Sequence, residues 1–213
     1  MATDVLYFHG FASSPQSQKL LRLAEILGPG VVLHALDLNV PSFEQLSFEA
    51  MVQLGVREGR ARPPRAIAGS SLGAMVALEV ARRGIEAPLV LIAPAIGVGD
   101  RWTVRIGAAD PVEVFHHGRN ANARIHRAFY EEMCSVRADE EPPATAVSVV
   151  LGRADESVPF EIVRTRWEEW TASGRLVAGS RFTEIAGGDH GLVGWADVIA
   201  REIRARAGVF DAF

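Results

Sequence analysis

A serine between two glycines, in Gly69-Ser70-Ser71-Leu72-Gly73, follows the apolar run Ala66-Ile67-Ala68 and precedes the Ala/Leu/Val-rich stretch Ala74-Met75-Val76-Ala77-Leu78. On a tight strand-to-helix turn, the central serine of a G-x-S-x-G projects its hydroxyl outward, the geometry of an enzymatic nucleophile. Side chains at Gly69 and Gly73 would collide where strand and helix pass closely. Ser71 is therefore the candidate nucleophile, and Ser70 lies off the centre of the turn. The structural alternative is a glycine-rich turn whose serines only cap the next helix. A hydroxyl nucleophile needs a base, an acid that orients the base, and donors for a developing oxyanion.

Candidates for each occur downstream and upstream. Asp155 stands in Gly152-Arg153-Ala154-Asp155-Glu156-Ser157-Val158-Pro159, just after an apolar run, with Pro159 placed to open a helix. Glu156 is the nearest competing carboxylate, expected to point to solvent. His190 lies in the Gly-rich Ala186-Gly187-Gly188-Asp189-His190-Gly191, where little obstructs its ring. Asp189 is too close in sequence to orient that ring and is expected to cap or pair locally. The order Ser71, Asp155, His190 is the Ser-Asp-His order of α/β-hydrolases. The oxyanion donors expected are the backbone N–H of Leu72, at a helix start, and that of Phe11, in the loop after the first strand. His9, at the end of that strand, is read as a structural hydrogen-bonding residue.

No metal or cofactor is expected. His116-His117 is too isolated for a zinc site, and neither a G-x-G-x-x-G nor a Walker pattern occurs.

These residues must be positioned by a regular alternation. Short runs at Val5–Phe8, Val31–Leu36, Arg65–Ala68, Leu89–Pro94, Val147–Gly152 and Arg181–Ile185 read as strands, the first a continuous apolar run expected to be buried on both faces. Helical patterns separate them, over Ser17–Leu27, from Ser42 past Leu54, from the elbow to about Arg83, over Pro159–Ala172 and over Leu192–Ala207. Strands alternating with helices imply a parallel sheet covered on both faces, with ligands beyond the carboxyl ends of the strands. Each candidate catalytic loop opens onto that edge.

Residues 96–141 break the alternation and are too long for a plain connection. They are read as a helical lid or cap within a single domain spanning residues 1–213, with a helix expected over Asn122–Met133. The alternative is a longer crossover helix with a ragged loop. Trp102, Phe115, Phe129 and Tyr130 could wall an apolar acyl pocket, and Arg101, Arg105, Arg119, Arg124 and Arg127 could hold an anionic group. Lid packing and a solvated face are the plainer readings of the two sets.

Composition excludes other classes. A net charge of −4 over 213 residues carries no basic signature of nucleic-acid binding. No apolar run reaches membrane-spanning length, and residues 1–8 lack the features of a signal peptide. The single Cys134 can form no internal disulfide. A cytoplasmic protein without membrane insertion is expected, its partner a small-molecule acyl substrate.

His9-Gly10-Phe11-Ala12-Ser13-Ser14-Pro15-Gln16-Ser17, Gly69-Ser70-Ser71-Leu72-Gly73 and Gly188-Asp189-His190 resemble the small bacterial YqiA-like esterases of the α/β-hydrolase superfamily. The resemblance implies an α/β-hydrolase fold with Ser71 as nucleophile, His190 as base and Asp155 as acid. Because the chain starts directly at the strand leading to His9, it also implies a minimal, mostly parallel sheet of about six strands. Residues 96–141 match no cap of the family, so it implies no substrate. The expected activity is a serine carboxylesterase acting on a small ester or thioester through an acyl-enzyme. The alternatives are a thioesterase, peptidase or acyltransferase with the same triad, or a non-catalytic ligand-binding protein on the same fold.

Overall fold

A computed structural model describes residues 2–103 and 109–209. Six strands form one sheet: β1 (Thr3–Phe8), β2 (Val31–Leu36), β3 (Ala66–Ser70), β4 (Leu89–Ile92), β7 (Val147–Gly152) and β8 (Arg181–Ile185). Between β4 and β7 the chain forms a separate antiparallel hairpin, β5 (Val112–His116) with β6 (Ala121–Ile125). The six-stranded sheet has the order β2-β1-β3-β4-β7-β8, and every pair in it is parallel. Parallel strands require crossovers, and the helices provide them: α1 (Gln18–Leu27), α2 (Phe48–Ala61), α3 (Leu72–Arg82) and, beyond β7, α6 (Phe160–Ala172). The C-terminal α7 (Ala196–Ala207) packs with α1 and across β1, β3 and β4, while α2 packs with α3.

Sheet and helices share one apolar core. Strands β3, β4 and β7 are buried along their whole length, as continuous Val/Ile/Leu/Ala runs dictate when helices cover both faces. Two polar groups in this core are satisfied: Ser148 Oγ donates to Glu202 Oε2 (2.6 Å) and accepts from Arg206 Nε (2.7 Å). All six sheet strands expected from the sequence are present. One helix begins later than its pattern suggests. Ser42 accepts from Gln45 N in an isolated turn, and the true N-cap of α2 is Ser47, which accepts from Ala50 N (3.2 Å).

The segment over residues 96–141 contains α4 (Val98–Thr103), the β5–β6 hairpin and α5 (Arg127–Cys134). The single helix expected over Asn122–Met133 is thus corrected to a strand followed by a helix. Residues 121–125 alternate toward the buried Ile125, a period of two that short helical matches disguise. The segment is tied down at several points. The Glu132 carboxylate accepts from Phe48 N (2.9 Å) and Glu49 N (2.8 Å) at the start of α2, where a helix favours negative charge. Gly118 N donates to the Ala12 carbonyl (3.3 Å), and His126 N donates to the Glu44 carbonyl (2.9 Å).

Candidate active site

Ser71 sits between β3 and α3 with φ 53° and ψ −116°, a conformation that a non-glycine residue adopts only when its surroundings impose it. Its amide donates to the Ile92 carbonyl (2.9 Å), and its carbonyl accepts from Ala74 N and Ala95 N. The flanking glycines are sterically required. A Cβ on Gly69 would lie 2.3 Å from the Gly73 carbonyl oxygen, and one on Gly73 would lie 2.2 Å from that of Phe8. The corner therefore fixes the Ser71 side chain at the carboxyl edge of the sheet, facing the cleft.

Asp155 is in the loop after β7, its side chain fully buried. One carboxylate oxygen accepts from the amides of Ser157 (2.8 Å) and Val158 (2.7 Å), and the other lies 2.8 Å from His190 Nδ1. Burial alone raises the pKa of this carboxyl. The His190 hydrogen bond and charge and the two amide donors outweigh burial and hold it below the usual carboxylate range. An ionised carboxylate can only accept, so Nδ1 of His190 carries a proton, and in the neutral ring Nε2 keeps its lone pair. His190, in the loop after β8, lines the same cleft as Ser71.

Acid loop and base loop are pressed together. Ala154 N donates to the Gly188 carbonyl and Arg153 N to the Ile185 carbonyl, each at 2.9 Å. A Cβ on Gly152 would lie 2.1 Å from the Gly188 carbonyl oxygen, so the approach depends on glycine. Glu156 is exposed, and Asp189 spends Oδ1 on the Leu192 amide (2.7 Å) within its own loop.

Phe11 and Leu72 also line the cleft. Leu72 is the first residue of α3, where an amide has no intrahelical acceptor. Among the described residues no group accepts from the Phe11 amide. His9 is buried and fully used, Nδ1 bonding to the Gly10 carbonyl (2.8 Å) and Nε2 accepting from Leu38 N (3.0 Å). Burial pushes its pKa down, which suits a neutral ring holding the loop in place.

The cleft measures about 810 Å³. Of the aromatics of residues 96–141, Trp102 lines it. Phe129 is buried, stacked on Phe11 with centroids 5.9 Å apart, and Tyr130 packs on Trp102. Phe115 is exposed against His117. Of the arginines, Arg101 reaches the cleft, its guanidinium donating to the Ser157 carbonyl at 2.7 Å. Arg119 lies over the Phe43 ring, Arg127 pairs with Glu131, Arg124 is exposed, and Arg105 lies outside the described residues. Among the cleft residues that the sequence does not single out is Lys19, whose Nζ donates to Ser70 Oγ at 2.7 Å. A lysine in the first turn of an amphipathic helix reads as solvated, and no sequence signal marks it otherwise. No group of three or more metal-ligating side chains occurs among the described residues, and no described helix is long and apolar enough to cross a membrane.

A parallel sheet with helices on both faces, a nucleophile-elbow turn after its third strand and an Asp–His pair after its last two define the class: this is an α/β-hydrolase-fold protein. More narrowly, the chain belongs to the family described as uncharacterised protein family UPF0227, the YqiA-like family, whose model matches residues 4–201. Solved structures of similar fold include ferulic-acid-bound Est1E from Butyrivibrio proteoclasticus, with a TM-score of 0.77 and 15% identity over 97% of this chain and 90% of that one. The monoacylglycerol lipase of Paleococcus ferrophilus aligns with a TM-score of 0.73 and 19% identity over 99% and 97% of the two chains. An esterase domain from a Rhodothermus marinus protein gives a TM-score of 0.69 and 17% identity over 97% and 88%. No curated protein matches the sequence.

Proposed function

We propose that this chain is a serine hydrolase that cleaves a small carboxylic ester or thioester through an acyl-enzyme intermediate. The observation that carries the reading is the 2.8 Å contact between the fully buried Asp155 carboxylate and His190 Nδ1, in the cleft that the strained Ser71 faces. In the first step Nε2 of His190 takes the Ser71 proton as Oγ attacks the ester carbonyl carbon. Asp155 stabilises the imidazolium that forms, while the N–H groups of Phe11 and Leu72 receive the oxyanion. The tetrahedral intermediate expels the alcohol, which leaves with the proton from His190. Water then attacks the acyl-enzyme by the same route, restoring Ser71 and releasing the acid. Residues 96–141 act as a lid over the strand ends, contributing Trp102 and Arg101 to the cleft wall. The reading is supported by structural neighbours that include Est1E with ferulic acid bound, an esterase domain and a monoacylglycerol lipase.

The test is hydrolysis of p-nitrophenyl butyrate. Ser71→Ala should lower kcat by roughly 10⁴–10⁶ with the far-UV circular dichroism unchanged. An unchanged rate would remove Ser71 from the mechanism.

A further inference from the structure

Lys19 is the second residue of α1, a helix capped by Ser17. From there its side chain enters the cleft that holds Ser71 and His190, and Nζ donates to Ser70 Oγ at 2.7 Å. Ser70 is buried and adjoins the proposed nucleophile in sequence. An ammonium carries three donors. Within the described residues this one meets a single neutral acceptor, and no carboxylate oxygen lies within 4.0 Å of it.

The hydrogen bond to the neutral Ser70 hydroxyl does not itself require a charge at this place. A cation in the first turn of a helix opposes the helix dipole. Burial pushes the ammonium down to about 8, against the raising influence of the more distant Asp155 and Asp189, so it remains largely protonated at neutral pH. A half-buried cation with no carboxylate oxygen within 4.0 Å, next to the proposed nucleophile, is a site prepared for an anion.

We infer that Lys19 is a specificity-determining residue that holds a carboxylate carried by the substrate itself, so that the preferred esters are monoanionic. The inference rests on the esterase reading, and it narrows that reading from any small ester to esters bearing a carboxylate near the scissile bond. With Ser70 accepting one ammonium hydrogen, the other two are available to a carboxylate while the ester carbonyl lies at Ser71. Such charge-assisted bonds are stronger than neutral ones, and an anion that cannot reach Lys19 leaves the ammonium unpaired.

Matched substrates separate this role from a purely structural one. Mono-p-nitrophenyl glutarate is compared with p-nitrophenyl butyrate, and 3-acetoxybenzoate with phenyl acetate, so that the carboxylate sits once in the acyl half and once in the alcohol half. Lys19→Met should lower kcat/KM for the carboxylate-bearing member of at least one pair by about 10- to 100-fold. The neutral members should lose less, so that the anionic-to-neutral ratio for that pair falls by about tenfold or more. An equal fall in both members would make Lys19 a positioning residue acting through Ser70 and overturn the inference, as would no change in either. Lys19→Gln, which keeps a polar group for Ser70, supplies the same comparison should the methionine variant fold poorly.

The anionic-to-neutral rate ratio should also decline as pH rises through about 8, where Lys19 loses its charge. Taking the ratio cancels any pH dependence that the two substrates share. The other titratable groups facing this part of the cleft are Tyr7, His9, Arg101, His117, Asp155 and Asp189. Of these, burial puts Tyr7 above and His9 below the window. A ratio that stays flat in that range would count against the inference.

A turnover-independent arm keeps the two proposals apart. Calorimetric affinity for mono-p-nitrophenyl glutarate and 3-acetoxybenzoate is measured in Ser71→Ala with and without Lys19→Met. Loss of at least about tenfold for either ligand supports the anion site even if no ester is turned over, whereas equal affinities for both refute it even if esters are.

Discussion

At Asp155 the same groups that settle its charge also settle its task. Its two amide donors fix one oxygen, which leaves the other for His190 and specifies the tautomer with a bare Nε2. Asp155→Asn keeps the shape but offers His190 an amide, and kcat for p-nitrophenyl butyrate should fall by about 10³–10⁴. Lys19 presents the opposite balance. Its pKa in the folded protein, about 8, lies below the 10.5 of a free lysine, so the unfolded chain binds more protons in between. The penalty for burying the charge is therefore fully present below about pH 8 and fades as pH rises through 10.5. In urea denaturation Lys19→Met should be more stable than the parent at pH 7, with the difference shrinking by pH 10; a variant less stable at pH 7 would show that the ammonium contributes to stability. The candidate triad is legible in the sequence because each member stands in a loop after a strand, flanked by glycines that a close approach requires. Lys19 is not, since its burial depends on a cleft assembled by loops far apart in the chain.

Among the elements, the loops after β7 and β8 behave as one unit. Gly152 and Gly188 touch backbone to backbone, and two amide–carbonyl bonds run from the acid loop to the base loop and the end of β8. A Cβ at 2.1 Å from the Gly188 carbonyl oxygen cannot be absorbed by a side-chain shift. Gly152→Ala should destabilise the fold by about 3 kcal/mol or more, beyond ordinary overpacking, and should reduce activity in the remaining folded fraction by separating Asp155 from His190. A thermal melt alongside an activity assay reads both effects. Strands β3, β4 and β7 are legible because fully buried parallel strands need continuous apolar runs, and those runs are here. The start of α2 is not. Ser42 and Ser47 both look like N-caps, and Ser47 prevails where the Glu132 carboxylate, distant in sequence, meets the first amides of the helix. The β5–β6 hairpin is likewise hidden, because five residues of period two also satisfy a helical count when a helix follows directly.

For the molecule as a whole, the alternating pattern reveals the doubly covered parallel sheet and its functional edge, while the size and lining of the cleft come from contacts across the fold. Phe11, Phe43, Trp102, Phe129 and Tyr130 form one aromatic cluster joining the loops after β1 and β2 to residues 96–141. Such a cluster has no signature in local sequence. The candidate nucleophile likewise depends on the whole fold, since Ser71 and His190 share a cleft and His190 reaches Asp155 only when three separate loops are assembled. A fluorophosphonate probe tests this most directly, because it reacts with a serine hydroxyl only where a base and an oxyanion site activate it. Peptide mass mapping should find one covalent adduct on Ser71 of the native protein, and none on the urea-unfolded chain or on Ser71→Ala. Absence of an adduct in the native protein, or an adduct on Ser70 instead, would contradict the assignment of Ser71 as an activated nucleophile.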